Sequence, residues 1–382
     1  MSQKLGPLVL VSTKNKKEKK IEWLSKLRDA VLSLKLILVT LDSEDDAYVI
    51  FETLNTRGKD LALSDLLKNL FARHLKASGS VDHAKIKWDE VLKTLGGATV
   101  DLPADQFITH SWASRFDAVT VKQAFPKFKV SITKDTATSH LDDFLADARH
   151  YRSVLDPTYP WVKEERDIAK SFVALQMFKV VQPAPALLSL VRAYRNKKIK
   201  LGKLAEALKA IEKFHFQFTS VTSSRSSGGI SGMYSSFGRK LFSATDSNNA
   251  AIEIKSLIQK LSERRPSLPE FQAGFAEIVQ TNIQSKQKAL VRYILSEVSL
   301  YEKSTHVGDH DDLTIEHLFP QSAMDNFWTP EIVGQIGNLL FIDRETNKEI
   351  DSLPFQAKKK YWLIADTSYR RNLYRQLNLL PN

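Results

Sequence analysis

Between Leu313 and Tyr361 the chain reads LTIEHLFPQSAMDNFWTPEIVGQIGNLLFIDRETNKEIDSLPFQAKKKY, with a carboxylate and an imidazole side by side, Glu316 and His317, ending a short apolar run. A proline and a polar loop follow, then a second apolar run entered through Asn338, then a charged, helix-like segment starting near Asn347. That order predicts strand, loop, strand and helix, with polar groups at the junctions. Cleaving a phosphodiester needs an activated water, charge stabilisation at phosphorus and help for the departing oxygen. A divalent ion held by Glu316 and Asn347, with His317 left as a base, would supply all three. An imidazole suits the base role because its ordinary pKa of about 6.5 leaves much of it neutral near pH 7. One carboxylate and one carboxamide favour Mg²⁺ or Mn²⁺ over zinc. The nearby His306, Asp309, His310, Asp311 and Asp312 sit in a Gly-containing polar turn and read as a solvated loop.

The elements that must position these groups are mostly helical. At 382 residues, 43% of them hydrophobic, the chain is long enough for two or three domains and rich enough in apolar residues to build their cores. It has no cysteine, which excludes disulfides, thiolate metal sites and cysteine nucleophiles. No apolar run approaches the roughly 20 residues that a membrane span needs. The start carries no signal-peptide pattern, so a soluble cytoplasmic protein without a membrane partner is expected. The formal charge of +11 favours a polyanionic partner, DNA in particular, once a candidate phosphodiester-cleaving motif is present.

Apolar residues at three- and four-residue intervals predict an amphipathic helix from Ile21, with its last residues, Leu36–Leu41, extended into a strand. A helix ending near Asn55, a left-handed turn at Gly58 and an N-cap at Ser64 would form a helical corner. Further helices are expected over 84–95, 139–155, 201–218, 250–261, 268–278 and 286–301, with a helix pair broken at Gln182–Pro185. The segment 102–133 is less regular. Thr219–Lys240, rich in Ser and Gly, reads as a flexible loop. His215, on an apolar face, reads as a core residue rather than a ligand.

The C-terminal string resembles the HNH, or ββα-metal, nuclease family; EHLFPQS followed by GNLLFIDRETN is similar to the HNH domains of CRISPR RNA-guided nucleases. The resemblance implies His317 as general base, Asn338 as the residue that steadies it, and Glu316 and Asn347 as metal ligands. Glu316 stands where Asp is usual. Gln321 would contact substrate, while Arg344, Lys358, Lys359, Arg370 and Arg371 would flank a DNA backbone phosphate.

Upstream, Phe51, Glu52, Asn55, Thr56, Arg57, Gly58, Leu61, Asp65, Leu66 and Lys68 match a signature of the GmrSD-type bacterial restriction family. In that family a ParB-like, nucleotide-dependent domain precedes a helical region and a C-terminal HNH domain. The family's D-G-Q-Q-R element is not found in residues 1–50. The resemblance therefore implies a reduced sensor region, in which Asn55, Arg57, Gly58 and Lys68 have no assigned role and nucleotide hydrolysis by this chain alone is doubtful. The expected architecture is mainly α, a multi-helical body with a small C-terminal ββα-metal (HNH-like) domain. Its divisions would be a truncated sensor remnant over 1–120, a helical domain over 121–300 and a nuclease domain over 301–382. The implied function is metal-dependent cleavage or nicking of DNA in phage defence, on modified phage DNA. The alternatives are a non-catalytic DNA-binding or scaffolding subunit that needs a separate sensor protein, and an RNA nuclease.

Overall fold

The computed structural model describes residues 15–35, 62–75, 82–223, 228–301, 313–350 and 353–358. The chain divides into two units, Met1–Leu61 and Ala62–Asn382. In the first, the described residues form helix α1 (Asn15–Leu32), where the apolar positions Ile21, Leu24, Leu27 and Val31 are all exposed rather than turned into a core. Asn55, Arg57 and Gly58, with the helix and turn expected there, lie outside the described residues.

The second unit is helical over most of its described length. It runs through α2 (Leu63–His74), α3 (His83–Gly96), α4 (Ala104–Ala113), α5 (Val121–Ser131), α6 (Ala137–Leu155), α7 (Arg166–Met177), α8 (Ala184–Arg195) and α9 (Leu201–His215). Helices α10 (Gly228–Ser243), α11 (Ser247–Glu263), α12 (Leu268–Ala276) and α13 (Lys288–Tyr301) follow. Strand β1 (Thr314–His317), the single turn α14 (Pro330–Val333), strand β2 (Leu339–Ile342) and helix α15 (Arg344–Ile350) complete a small ββα unit. The architecture is mainly α with a C-terminal ββα element.

Two departures from the sequence reading have clear causes. Helix α2 starts at Leu63 rather than after a Ser64 cap, because the carboxylate of Asp105 accepts the N–H groups of Leu63 (3.1 Å) and Ser64 (2.9 Å). Two donors that a helix start leaves unpaired are thus satisfied by a residue from α4, which no local pattern reveals. The Ser- and Gly-rich stretch expected as a loop is largely helix: a π-turn over Phe216–Val221 extends α9, and α10 begins at Gly228. Ile230, Met233, Tyr234, Phe237 and Leu241 fall at helical spacing within it and are all buried. Tyr234 Oη lies 2.9 Å from Nε2 of His215, and Thr219 Oγ1 lies 3.0 Å from its Nδ1. His215 is a satisfied core residue whose pKa burial lowers to about 4.

The helical body is pinned at its centre by a buried carboxylate. Asp147 on α6 accepts from Ser111 (2.7 Å), from Arg115 (2.9 and 3.1 Å) and from Arg192 (2.7 and 3.0 Å), joining α4, α6 and α8. Burial pushes its pKa up, but Arg192 and Arg115 more than offset this and hold it below the usual value. Helix α13 then carries the ββα unit. Its Tyr293 donates to Glu212 (2.7 Å) and its Glu297 pairs with Lys209 (3.0 Å), both on α9. Its Val291, Ile294 and Leu295 pack with Leu313, Leu339 and Phe341, so one core runs across position 300. Removing Asp147 takes from Arg192 and Arg115 the buried carboxylate they share, leaving Arg115 its pair with the more exposed Asp143. Asp147→Ala is expected to cost about 3–5 kcal/mol by urea denaturation of the full chain, against less than about 1 kcal/mol for breaking the exposed pair Lys203–Glu206.

Candidate active site

The two strands pair antiparallel, with Thr314 opposite Ile342, Glu316 opposite Leu340 and His317 opposite Leu339. Successive side chains on a strand leave on opposite faces, and directly paired residues share a face. One face therefore carries Glu316, Leu340 and Ile342, packed with Leu318 and Ile350 under α15. The other carries Leu313, Ile315, Leu339 and Phe341, packed on α13. His317 belongs to this second face. Adjacent in sequence, Glu316 and His317 leave the strand in opposite directions.

His317 is 7% exposed and held from two sides. Its Nε2 lies 2.8 Å from the carbonyl oxygen of Gln280, which only accepts, so Nε2 carries the proton. The Nδ1 lone pair faces the side-chain amide of Gln321 at 3.3 Å. That amide's orientation is itself fixed, because Gln321 Oε1 accepts the backbone N–H of Asn282 at 2.7 Å. Burial lowers the His317 pKa, opposed by the bond to Gln280 and helped by the nearby Lys358 charge, so the imidazole is held neutral.

Beside His317 lies a cavity of about 280 Å³, lined along β1 by Leu313, Thr314, Ile315 and His317 and closed by Gln280, Asn282 and Gln321. Its charged lining residues are Lys288, Arg292 and Arg344. Lys288 and Arg292 stand one turn apart on α13; Arg292 donates to the Leu313 carbonyl (2.9 Å) and its guanidinium lies over the Phe341 ring at 5.0 Å. Gln280 is buried in this wall, and its Oε1 has no hydrogen-bond partner among the described residues. Such a cavity can take an anion and a water molecule next to a neutral imidazole.

The groups expected to hold a metal sit otherwise. Glu316 is 4% exposed and its carboxylate is paired with the ammonium of Lys358, which also donates to the His317 carbonyl at 2.9 Å. Lys358, expected at a DNA-facing surface, is instead fully buried, with its ammonium turned inward onto the Glu316 carboxylate. Asn347 on α15 donates from Nδ2 to Thr314 Oγ1 at 3.0 Å. Among the described residues no three His, Asp or Glu side chains cluster as a metal site. A divalent ion therefore does not fit Glu316 and Asn347 while Lys358 is in place.

Asn338 does not touch the imidazole. Its Oδ1 accepts the Phe319 N–H (2.7 Å), its Nδ2 donates to the carbonyls of Phe319 (3.1 Å) and Val333 (2.8 Å), and its own carbonyl accepts the Leu318 N–H (2.9 Å). It clamps the loop directly after His317, steadying the backbone rather than the ring. Arg344 is exposed at the start of α15 and lines the cavity. Lys68 forms a long, exposed pair with Asp89 (3.9 Å), far in sequence from this site. Lys359, Arg370 and Arg371 lie outside the described residues. Lys288, Arg292 and Gln280 were not singled out by sequence; the i, i+4 spacing of the two cations was the available signal.

Residues 266–379 match the family model described as GmrSD restriction endonucleases, C-terminal domain. No curated protein matches the chain. No helix among the described residues is long and apolar enough to cross a membrane. The matched region starts before α12, and so includes the connector that presents Gln280 to His317 and Asn282 to Gln321. With both ring contacts fixed by backbone groups, neutral His317 is expected as the Nε2–H tautomer, visible by ¹⁵N NMR of histidine-labelled protein; a dominant Nδ1–H form would contradict the geometry.

Proposed function

We propose that this chain, whose C-terminal region belongs to the GmrSD-type restriction endonucleases, is a divalent-metal-dependent DNA endonuclease or nickase of HNH type that acts in the cytoplasm against foreign, modified DNA. The observation that carries this reading is a buried, neutral imidazole at the edge of a cavity whose charged lining residues are cations. A backbone phosphate is the ligand that Lys288, Arg292 and Arg344 would take, since cations recognise the DNA backbone without reading sequence.

The chain's own groups then divide the work. Lys288, Arg292 and Arg344 hold the scissile phosphate and offset charge on its non-bridging oxygens. His317 Nδ1 accepts a hydrogen bond from a water in the cavity. As the water oxygen attacks phosphorus, its proton passes to His317 Nδ1, and the Gln280 carbonyl stabilises the imidazolium through Nε2–H. The phosphorus–oxygen bond to the 3′ carbon breaks, leaving a 5′-phosphate and a 3′-hydroxyl protonated from solvent. No step here runs through a metal, because Glu316 is paired with Lys358 and does not line the cavity. Gln321, whose amide already points at Nδ1, would move aside or orient the water.

One observation favours a second reading. The carboxylate expected to bind metal is neutralised by Lys358, as befits a DNA-binding subunit that does not cleave and that docks a separate sensor protein. Supercoiled plasmid and phage DNA carrying modified bases, incubated with Mg²⁺, Mn²⁺ or EDTA, separate the two. Metal-dependent nicking or cutting is expected from the wild-type chain, reduced by at least about 100-fold in His317→Ala. Equal rates in both proteins would remove His317 from the chemistry. DNA binding without cleavage by either would select the second reading.

A further inference from the structure

Thr281 to Gln284, in the connector between α12 and α13, form a closed turn. The Thr281 N–H donates to the Gln284 carbonyl at 3.0 Å, and the Gln284 N–H donates to Thr281 Oγ1 at 2.9 Å. The base of the turn is fixed: Thr281 and Gln280 are buried, and the Gln280 N–H donates to the Gly334 carbonyl at 2.8 Å. A Cβ on Gly334 would lie 2.9 Å from the Pro330 carbonyl oxygen and 3.0 Å from both Gln280 N and Thr281 Cγ2, so the turn sits directly on the end of α14. The tip is tied on both sides to the segment joining β1 to β2. The Asn282 N–H donates to Gln321 Oε1 (2.7 Å), and Gln284 Nε2 donates to Glu331 Oε1 (3.0 Å).

Between those two ties stands Ile283, 76% exposed. Single exposed apolar residues are common, and Val130 on α5 is another, at 80%. Ile283 differs in where it is held. Its neighbour Asn282 lines the cavity beside His317, one Cα–Cα step of about 3.8 Å away. The charged residues lining that cavity are the cations Lys288, Arg292 and Arg344. Turn tips favour Gly, Asn, Asp or Ser. A β-branched side chain there adds nothing to a core, but it is stiff and already ordered.

We infer that Ile283 is an apolar wedge that enters a base step of the DNA strand whose phosphate docks in the cavity. The inference rests on the DNA reading above for its ligand, and it concerns how the duplex is deformed, not how it is cut. An aliphatic side chain pushed between base pairs partly unstacks them and kinks the duplex. The cost is lowest where pairing is already weakened, and a rigid turn adds no ordering cost of its own. Successive phosphates of one strand rise by about 3.4 Å, so a residue next to the cavity reaches the step at or beside the docked phosphate. The favoured substrate is therefore a duplex with a locally weakened step.

Fluorescence anisotropy of the full-length protein in EDTA, on a matched duplex and on the same duplex with one central mismatch, tests this. The mismatched duplex is expected to bind at least about fivefold more tightly. Ile283→Ala should abolish that preference, Ile283→Leu should keep it, and Val130→Ala should leave it unchanged. With its side chain in solvent, Ile283→Ala is expected to keep the wild-type urea midpoint. A wild type without the preference, or a preference that survives Ile283→Ala, would overturn the wedge; the latter is also the result if Ile283 serves a protein partner. Failure to bind either duplex would overturn the wedge and the DNA reading together. Matched-duplex binding and His317-dependent cleavage without the preference would sink the wedge alone. A preference without cleavage would sink the nuclease reading alone.

Discussion

The hydrogen bond from His317 Nε2 to the carbonyl of Gln280 decides which imidazole nitrogen is left to do chemistry. Much of the surrounding structure serves to hold that bond in place. Gln280 is locked by its own N–H on the Gly334 carbonyl (2.8 Å), next to the isolated bridge between Val279 and Gln335. Asn282, two residues on, sets the Gln321 amide that meets Nδ1. The hairpin's tip is closed by Asn338, and its base rests on α13, which Tyr293 and Glu297 tie to α9. A base pinned through one nitrogen keeps its lone pair aimed without spending conformational entropy at the moment of reaction.

The two-stranded sheet separates charge by face. Strand alternation sends Glu316 under α15 and His317 toward α13, so the carboxylate and the base leave the same backbone on opposite sides. This keeps a negative group out of a site meant for phosphate, where it would repel substrate. It also leaves the carboxylate buried, and a buried carboxylate demands a cation. Lys358 meets that demand from the end of the described chain.

Much of this was legible in the sequence, and the parts that were not share a cause. Strand, loop, strand and helix could be placed from the apolar runs at Leu313–Leu318 and Leu339–Ile342, and the helices from their spacing. What escaped was supplied from a distance. The carboxylate that caps α2 comes from Asp105, and the partner of His317 Nε2 and the group that orients Gln321 come from Gln280 and Asn282, in a connector that reads as an unremarkable polar linker. The Ser- and Gly-rich composition of residues 228–243 hid a helical apolar stripe. Lys358 sits in a run of three lysines that reads as flanking a DNA backbone phosphate. Nothing local shows that Lys358 turns inward, because its burial is set by a carboxylate in β1.

The central claim is that a DNA phosphate docks in the cavity beside His317. A crystal structure of the full-length His317→Ala protein with a duplex oligonucleotide and Mg²⁺ tests it most directly. The account predicts a backbone phosphate within hydrogen-bond reach of Arg292 and Arg344, with the missing imidazole's place facing its phosphorus. DNA bound on another face, with the cavity between β1 and α13 holding only solvent, would contradict it.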